Sequence, residues 1–160
     1  MSPNPSARPF WGALLLALPA LATSAAPCAD DPDKVKVCVV TVLATDKDAK
    51  VDPKLADLAR EVQKVEPKLT GFRLANSTSK SLSVGDKDDF ELVADQTAAV
   101  IVEHGADQEN RVQLKVTPPL MGAITYETSC GKFLPVVTSY RTKGGEVLII
   151  AVRVQPCNEK

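Results

Sequence analysis

The residues of this chain that are best suited to chemistry surround its single histidine, His104. They lie in the segment AVIVEHGADQENRVQLKV, where Glu103, Asp107 and Glu109 are close to His104 in sequence. An imidazole beside carboxylates can ligate a metal ion or share a proton in acid–base catalysis. The same segment also suits the polar tip of a β-hairpin, because Gly, Asp and Asn favour turns. Two interpretations therefore compete for it.

The apolar pattern on either side of His104 favours the hairpin. Pairing Val102 with Val112 aligns two predicted strands and leaves His104 opposite Asn110, at the rim of the core face. A five-residue loop then covers residues 105–109, which is a common length for a hairpin connection. We therefore predict no catalytic residue, no metal site and no cofactor at this tip. A hydrolase that uses His104 is the less favoured alternative.

Four cysteines are the next candidates for chemistry: Cys28, Cys38, Cys130 and Cys157. An even number of cysteines in an exported chain predicts two disulfides. A zinc site is disfavoured, because the chain has no CxxC pair and only one histidine. The expected register of the last hairpin favours Cys130–Cys157, which leaves Cys28–Cys38. Pairing Cys28 with Cys157 and Cys38 with Cys130 is the next alternative, and the sequence also allows the third.

Other short motifs carry less weight. Two acidic segments resemble part of a calcium-binding loop: Asp46 with Asp48, and Asp86 with Asp88 and Asp89. Neither has the full D-x-[DN]-x-[DN]-G-x5-E pattern, so both are predicted to be solvated turns. Asn76-Ser77-Thr78 matches a glycosylation acceptor, which matters only in a eukaryotic secretory route. The chain has no GxSxG, GxGxxG or P-loop motif.

The secondary structure that must position these residues includes one clear helix. Asp52 is a good N-cap, and Pro53 suits the first helical position because its missing N–H needs no partner there. Pro67 ends the helix. The helix of residues 53–65 has one apolar stripe that we expect to pack against a sheet: Leu55, Leu58, Ala59, Val62 and Val65.

Most of the remaining chain has the period-two pattern of β-strands. The segment KVKVCVVTVLA is nearly continuous in apolar residues and predicts a central strand that is buried on both faces. The pattern gives about eight or nine strands, mainly antiparallel, in a sheet or sandwich that packs on the helix. We thus predict a single α+β domain over residues 35–157. We also expect the first and last strands to be antiparallel neighbours, and Lys132 to lie opposite Arg153 in the final hairpin.

The N-terminal segment differs from the rest of the chain. One positive side chain, Arg8, precedes an apolar run that is followed by small residues. This order is typical of a secretory signal peptide, so we predict that residues 1–22 are removed and that the protein is periplasmic or extracellular. Cleavage before Thr23 or before Ala26 fits the pattern of small residues. Residues 23–34 are then a linker.

Charge and composition exclude several classes of partner. Without the signal segment the chain has 18 basic and 20 acidic side chains, a net charge of −2 with no basic stripe. This balance argues against nucleic acid and anionic membranes as partners. No second long apolar run is present to span a membrane. Five aromatic side chains remain, few for a surface that stacks on sugars or bases: Phe72, Phe90, Tyr126, Phe133 and Tyr140.

Three segments of the chain resemble small exported bacterial proteins of unknown function: VDPKLADLAREVQKVEPKLTGFRL, LSVGDKDDFEL and GGEVLIIAVRV. The resemblance extends from about Val39 to Val154. It implies a bacterial envelope setting, and it carries no catalytic motif and therefore no activity.

These features favour an exported, non-enzymatic binding or accessory module of the bacterial envelope with an unknown protein partner. A secreted inhibitor of a protease or lysozyme is the alternative, and the hydrolase comes third. The binding module predicts an apolar surface patch or an open sheet edge. The inhibitor predicts an exposed loop with an apolar or basic tip, and the hydrolase predicts a pocket that contains His104.

Overall fold

The computed structural model describes residues 34–156, which form eight β-strands and one helix. The predicted signal peptide, the linker up to residue 33, Cys28 and Cys157 lie outside the described residues. The strands are β1 (Lys34–Thr45), β2 (Gly71–Ser83), β3 (Lys87–Glu91), β4 (Thr97–His104), β5 (Arg111–Thr117), β6 (Ile124–Ser129), β7 (Phe133–Arg141) and β8 (Val147–Pro156). After β1, a 3₁₀ turn (Pro53–Leu55) leads into α1 (Ala56–Val65). Within this range, no helix is long and apolar enough to cross a membrane.

The strands form two four-stranded antiparallel sheets within one domain. The first sheet has the order β2-β1-β8-β7, and the second sheet has the order β3-β4-β5-β6. The two sheets face each other across the larger core, and α1 packs on the outer face of the first sheet. The predicted α+β domain, mainly antiparallel with one helix after the first strand, is confirmed, and of the predicted sheet or sandwich it is the sandwich.

The central strands β1 and β8 supply side chains to both core layers, because alternate residues of a strand point to opposite faces. In β1, Val37 and Val39 enter the core between the sheets, whereas Val42 and Ala44 enter the core beneath α1. β8 pairs with β1 along nearly its whole length, with Val152 opposite Val39, and divides its side chains in the same way. The prediction of a doubly buried first strand beside the last strand is confirmed.

The helical segment has the predicted bounds, but one residue of its apolar stripe is not buried. The Asp52 side chain accepts a hydrogen bond from the Lys54 N–H at 3.0 Å, which satisfies a free donor of the first turn. The buried part of the stripe consists of Leu55, Leu58, Ala59 and Val62. Val65 is 75% exposed, so its predicted burial was wrong. The helix ends at Val65, and the chain turns back at once to bury Leu69 beneath α1 instead.

The hairpin that carries His104 has a different register from the predicted one. The observed pairs are Val102–Leu114 and His104–Gln113. The prediction placed Val102 opposite Val112 and His104 opposite Asn110, so it was wrong. The pairing shifts between Val102 and His104, where β4 has one extra residue that an apolar pattern does not reveal. The loop consequently covers six residues, 105–110, and not five.

The final hairpin also contains a shift in pairing. Phe133 lies opposite Arg153, where Lys132 was predicted. The cause is an irregularity between Val137 and Arg141, close to the turn. A one-residue shift exchanges the two faces of a strand. Phe133 therefore lies beside Arg153, on the outer face of the first sheet.

Candidate functional site

Two of the acidic residues near His104, Asp107 and Glu109, are held by an arginine, Arg111, at the start of β5. Glu103 lies in β4 and is not among the ion-pair partners of Arg111. Asp107 accepts two hydrogen bonds from it, one from the backbone N–H at 2.8 Å and one from Nε at 2.9 Å. Two more carboxylates lie within ion-pair distance of the same guanidinium, Glu109 at 3.2 Å and Glu127 at 3.3 Å. His104 is exposed at the end of β4 and is not part of this Arg111 network.

The Arg111 network fixes the shape of the hairpin loop. The backbone N–H of Arg111, together with its side chain, lowers the pKa of Asp107, and the hydrogen bond to Asp107 raises the pKa of Arg111. Both groups therefore keep their charges at neutral pH. No set of three or more His, Cys, Asp or Glu side chains in residues 34–156 is placed to bind a metal ion. The available sequence signal for Arg111, which was missed, is its position four residues after Asp107.

The first acidic segment folds as a tight turn after β1. Asp48 accepts a hydrogen bond from the Lys50 N–H at 3.0 Å, and its backbone carbonyl accepts one from the Thr70 hydroxyl. Gly71 fits closely beside this turn, because a Cβ at that position would lie 2.8 Å from Thr45 Cγ2 and 3.1 Å from the Asp48 carbonyl oxygen. The Asp48 carboxylate therefore has a local structural role.

One side of the sandwich, which we call the tied side, is closed by side chains of β2. Asn76 Nδ2 donates to the Glu91 carbonyl of β3 at 3.1 Å. Lys80 donates to the Asp88 carboxylate at 2.8 Å and to the Asp89 carbonyl at 2.7 Å. Asp88 and Asp89 thus lie in a strand and not in the predicted turn, and the hydrogen bond from Lys80 lowers the pKa of Asp88. A glycan on Asn76 would break the link between the sheets.

The opposite side, between β6 and β7, carries no such link within residues 34–156, and we call it the open side. The turn of residues 130–132 joins the two strands. Apolar side chains there are only partly buried against the core: Ile124, Tyr126, Cys130 and Tyr140. The Tyr126 hydroxyl is buried and has no hydrogen-bond partner in the described part of the chain. Its burial raises the pKa of Tyr126.

The two described cysteines lie on opposite sides of the first sheet. Cys38 enters the core beneath α1, where its sulfur lies 3.9 Å from the Ser77 hydroxyl. Cys130 packs against the core between the sheets, and burial raises the pKa of its thiol. Both are free thiols in the structure, and the sheet between them prevents the Cys38–Cys130 bond of the second pairing. Cys28 and Cys157 lie outside the described residues, so the two disulfides stay a prediction.

A groove of about 570 Å³ lies between α1 and β7, and we call it the α1–β7 groove. The helix wall consists of Asp57, Leu58 and Glu61. Residues 131–135 form the strand wall, where Phe133 is 39% exposed. The guanidinium carbon of Arg153 lies 4.9 Å from the centre of the Phe133 ring. The sequence signal for this feature was weak, because a single aromatic residue after a turn does not reveal a groove.

A second cavity, of about 380 Å³, lies where β1, β2 and the segment leading into the 3₁₀ turn meet. Its apolar lining includes Val51 and Phe72, and its rim includes an Arg73–Glu146 ion pair at 2.9 Å. His104 lines neither this cavity nor the α1–β7 groove. Neither of these two cavities is therefore the pocket containing His104 that the hydrolase alternative predicts.

The loop between β5 and β6 presents an apolar tip. Leu120 is 76% exposed and has a φ of 60°, a left-handed conformation that leucine rarely adopts. The loop is held by a hydrogen bond from the Met121 N–H to the Pro118 carbonyl at 3.4 Å. Packing within the domain does not explain a leucine at this position, because its side chain is largely in solvent.

The α1–β7 groove, the apolar loop and the open side are thus the candidate binding features of the described residues. The chain has no significant match among protein-family models, curated proteins or solved structures.

Proposed function

We propose that this chain is an exported, non-enzymatic binding module of the bacterial envelope, and that the α1–β7 groove holds an extended segment of its protein partner. The observation that carries the proposal is Phe133, a large apolar side chain that is 39% exposed within a groove. Aromatic residues, phenylalanine included, are enriched at the buried core of protein interfaces. The signal-like N-terminus and the resemblance to exported bacterial proteins support the setting.

The neighbours of Phe133 hold its ring in place before a partner binds. Arg153 lies opposite Phe133 in the β7–β8 pair, with its guanidinium carbon 4.9 Å from the ring centre. Such a cation–π contact restricts the ring. Less conformational entropy is then lost when a partner side chain packs on it.

The charges on the helix wall of the groove indicate the chemistry of the bound segment, while Lys132 lies on the strand wall. Asp57 and Glu61 line the helix wall and form ion pairs with Arg60 and Lys64 of the same helix. These pairs are mostly exposed, and exposed pairs contribute at most about 1 kcal/mol. A basic residue of the partner can therefore replace the helix's own cations. The bound segment is an extended peptide with an apolar side chain next to a basic one.

A pull-down with the mature protein from its native envelope would supply the partner, and cross-linking with mass spectrometry would locate the bound segment. A synthetic peptide of that segment should bind the wild type, and Phe133→Ser should weaken binding by about tenfold or more. Val84→Ser is the matched control, because Val84 is 48% exposed in the β2–β3 turn, outside the groove.

Two results would contradict this proposal. One is an unchanged peptide affinity for Phe133→Ser in a protein that melts at the wild-type temperature. The other is a set of cross-links that maps away from the α1–β7 groove. A double change of Asp57→Asn and Glu61→Gln refines the test, because it should weaken only peptides that contain the basic residue.

The apolar tip of the β5–β6 loop favours a second function, inhibition of a protease or lysozyme. Leu120 is placed to enter an apolar pocket of an enzyme, since it is 76% exposed on a loop held by its own hydrogen bond. Leu120→Gly removes the side chain and suits a φ of 60°, so the fold should be kept and inhibition lost. Assays against lysozymes and serine proteases test this function, and a wild type that inhibits none of them counts against it.

A further inference from the structure

We propose that the free edge of β6 pairs antiparallel with β6 of a second copy of this chain, which joins two second sheets into one continuous sheet. This contact is separate from the α1–β7 groove. It follows from a comparison of the four sheet edges in the described residues, of which β2 and β3 border the tied side and β6 and β7 border the open side.

The two edges of the tied side are occupied or irregular over part of their length, since the β1–β2 pairing also shifts between Thr41 and Val42. In β3, side chains of β2 donate to the backbone carbonyls of Asp89 and Glu91. At the start of β2, the N–H and the carbonyl of Phe72 bond to the backbone of Lys50 and Asp52. Occupied backbone groups do not accept a further strand, which is a common way for proteins to protect sheet edges.

The two edges of the open side differ from each other. β7 contains Pro135, which has no N–H to donate, and its pairing shifts between Val137 and Arg141. Both features obstruct strand addition. β6 has no proline, no glycine and no shift in pairing over residues 124–129. Its outer edge therefore presents the regular N–H and C=O groups of an extended strand.

The side chains of β6 favour a second copy as the added strand. Ile124, Tyr126 and Thr128 are turned towards the core, whereas Thr125 and Glu127 are exposed on the other face. Residues that lie opposite each other in an antiparallel pair share a face. A two-fold axis at Tyr126 places Glu127 opposite Thr125 of the second copy. An axis at Glu127 would oppose two carboxylates, which is unfavourable.

The register centred on Tyr126 also covers apolar surface that one copy leaves partly exposed. The two Tyr126 rings become direct cross-strand neighbours, which is a favourable aromatic pair. The charge of Glu127 is matched within its own copy by Arg111 at 3.3 Å, so no unmatched charge enters the contact. A contact that uses the same surface twice closes as a two-fold dimer.

Sedimentation velocity of the mature exported protein, from about 1 µM to about 1 mM, tests the proposal. The wild type should show a monomer–dimer equilibrium. Thr125→Glu places a carboxylate opposite Glu127 of the second copy at two symmetric positions, so it should weaken the dimer about tenfold. Thr125→Lys should strengthen the dimer by a similar factor for the opposite reason.

The same variants separate dimerisation from folding. Within one copy, Thr125 lies opposite Lys115, so a new carboxylate should favour the fold and a new ammonium should disfavour it. Dimerisation and monomer stability should therefore change in opposite directions. Ser81→Glu, at an exposed position of β2, is the matched control and should leave the dimer unchanged. A protein that stays monomeric at every concentration overturns the proposal. A dimer whose dissociation constant is the same in the wild type and in both Thr125 variants also overturns it.

Discussion

The tied side and the open side of the sandwich have the same kind of chain crossover, yet among residues 34–156 only the tied side is closed by side chains. A three-residue turn carries the chain from one sheet to the other on each side, at residues 84–86 and 130–132. On the tied side, Asn76 and Lys80 then connect the sheets through hydrogen bonds to β3. On the open side, within the described residues, the Tyr126 hydroxyl is buried with no partner.

This difference shows that a short crossover does not by itself close a sandwich. Closure depends on polar side chains that are long enough to reach the backbone of the facing edge. Where they are present, the large core side chain behind them is fully buried, as at Phe90, which is 0% exposed. Where they are absent, apolar side chains such as Tyr126 and Tyr140 are left partly covered. The tied side thus serves stability, and the open side leaves a surface on which a second chain can pack.

The largest contrast between the two sides should appear when core side chains are truncated. Phe90→Ala on the tied side should lower the free energy of unfolding by about 3–5 kcal/mol, because Phe90 is 0% exposed. Ile124→Ala on the open side should cost no more than about 2 kcal/mol, because Ile124 is only partly buried. Urea denaturation measures both. Equal losses would show that the two sides are packed equally well.

A disulfide between Cys130 and Cys157 would tie the open side covalently. The Gly131 N–H donates to the Val154 carbonyl at 2.8 Å, which places Cys130 beside the end of β8. Cys157 follows β8 directly in the chain. We therefore predict this bond in the exported protein, and Cys130→Ser should lower the free energy of unfolding by about 2–5 kcal/mol.

Thiol labelling measures this prediction directly. Exported protein that is unfolded without a reductant should present no reactive thiol, because the remaining pair is predicted to be Cys28–Cys38. Full reduction before labelling is the control and should expose four thiols. Four reactive thiols without reduction would show that the open side has no covalent tie.

A smaller effect is expected when one link of the tied side is removed. Asn76→Asp keeps the size of the side chain and the oxygen that accepts from the Ser77 N–H, but it removes the donor to the Glu91 carbonyl. The free energy of unfolding should fall by about 1 kcal/mol. Hydrogen exchange should show faster opening of β3. Unchanged exchange in β3 would mean that this link does not hold the two sheets together.

On the open side, removal of a polar group should raise stability. Tyr126→Phe deletes a buried hydroxyl that has no partner in the described residues, so the free energy of unfolding should rise by about 1 kcal/mol. Burial raises the pKa of Tyr126 in the folded state, which favours the neutral form. The free energy of unfolding is therefore unaffected by ionisation of Tyr126 below the unfolded pKa of about 10. It falls as the pH rises above that value, because the side chain then ionises more readily in the unfolded state. Wild-type stability should fall relative to Tyr126→Phe in alkaline urea titrations, and parallel curves would contradict this.

The parts of the fold that depend on local patterns could be predicted from the sequence. The continuous apolar run of β1 requires a strand covered on both faces, and Asp52 with Pro53 defines the start of the helix. Strand register was less accessible. It depends on irregularities such as the shift before His104, where one extra residue displaces every later pair without altering the apolar pattern. Val65 was misplaced because a helical stripe does not show where the supporting sheet ends.

The candidate binding features were harder to foresee than the fold. Arg111 could have been found, since an arginine four residues after Asp107 is a local signal. The α1–β7 groove brings Leu58 and Phe133 together from distant parts of the chain, and no local pattern records that contact. The open side could not be recognised from the sequence either. It is identified by comparing the four edge strands, and the strand order shows which strands those are.

The smallest effect is expected at His104, which belongs to neither side and lies at the end of a middle strand of the second sheet. His104→Gln keeps a polar side chain and removes the ionisable ring. Because His104 is exposed and outside the Arg111 network, the free energy of unfolding should change by less than about 0.5 kcal/mol, with peptide binding and dimerisation unchanged. The hydrolase alternative also expects unchanged stability, but it predicts that His104→Gln abolishes the activity. Thermal melts paired with activity and binding assays decide between them. If function is lost while the melting temperature is kept, then the working site is at Glu103, His104, Asp107 and Glu109, and the contrast between the two sides concerns the fold alone.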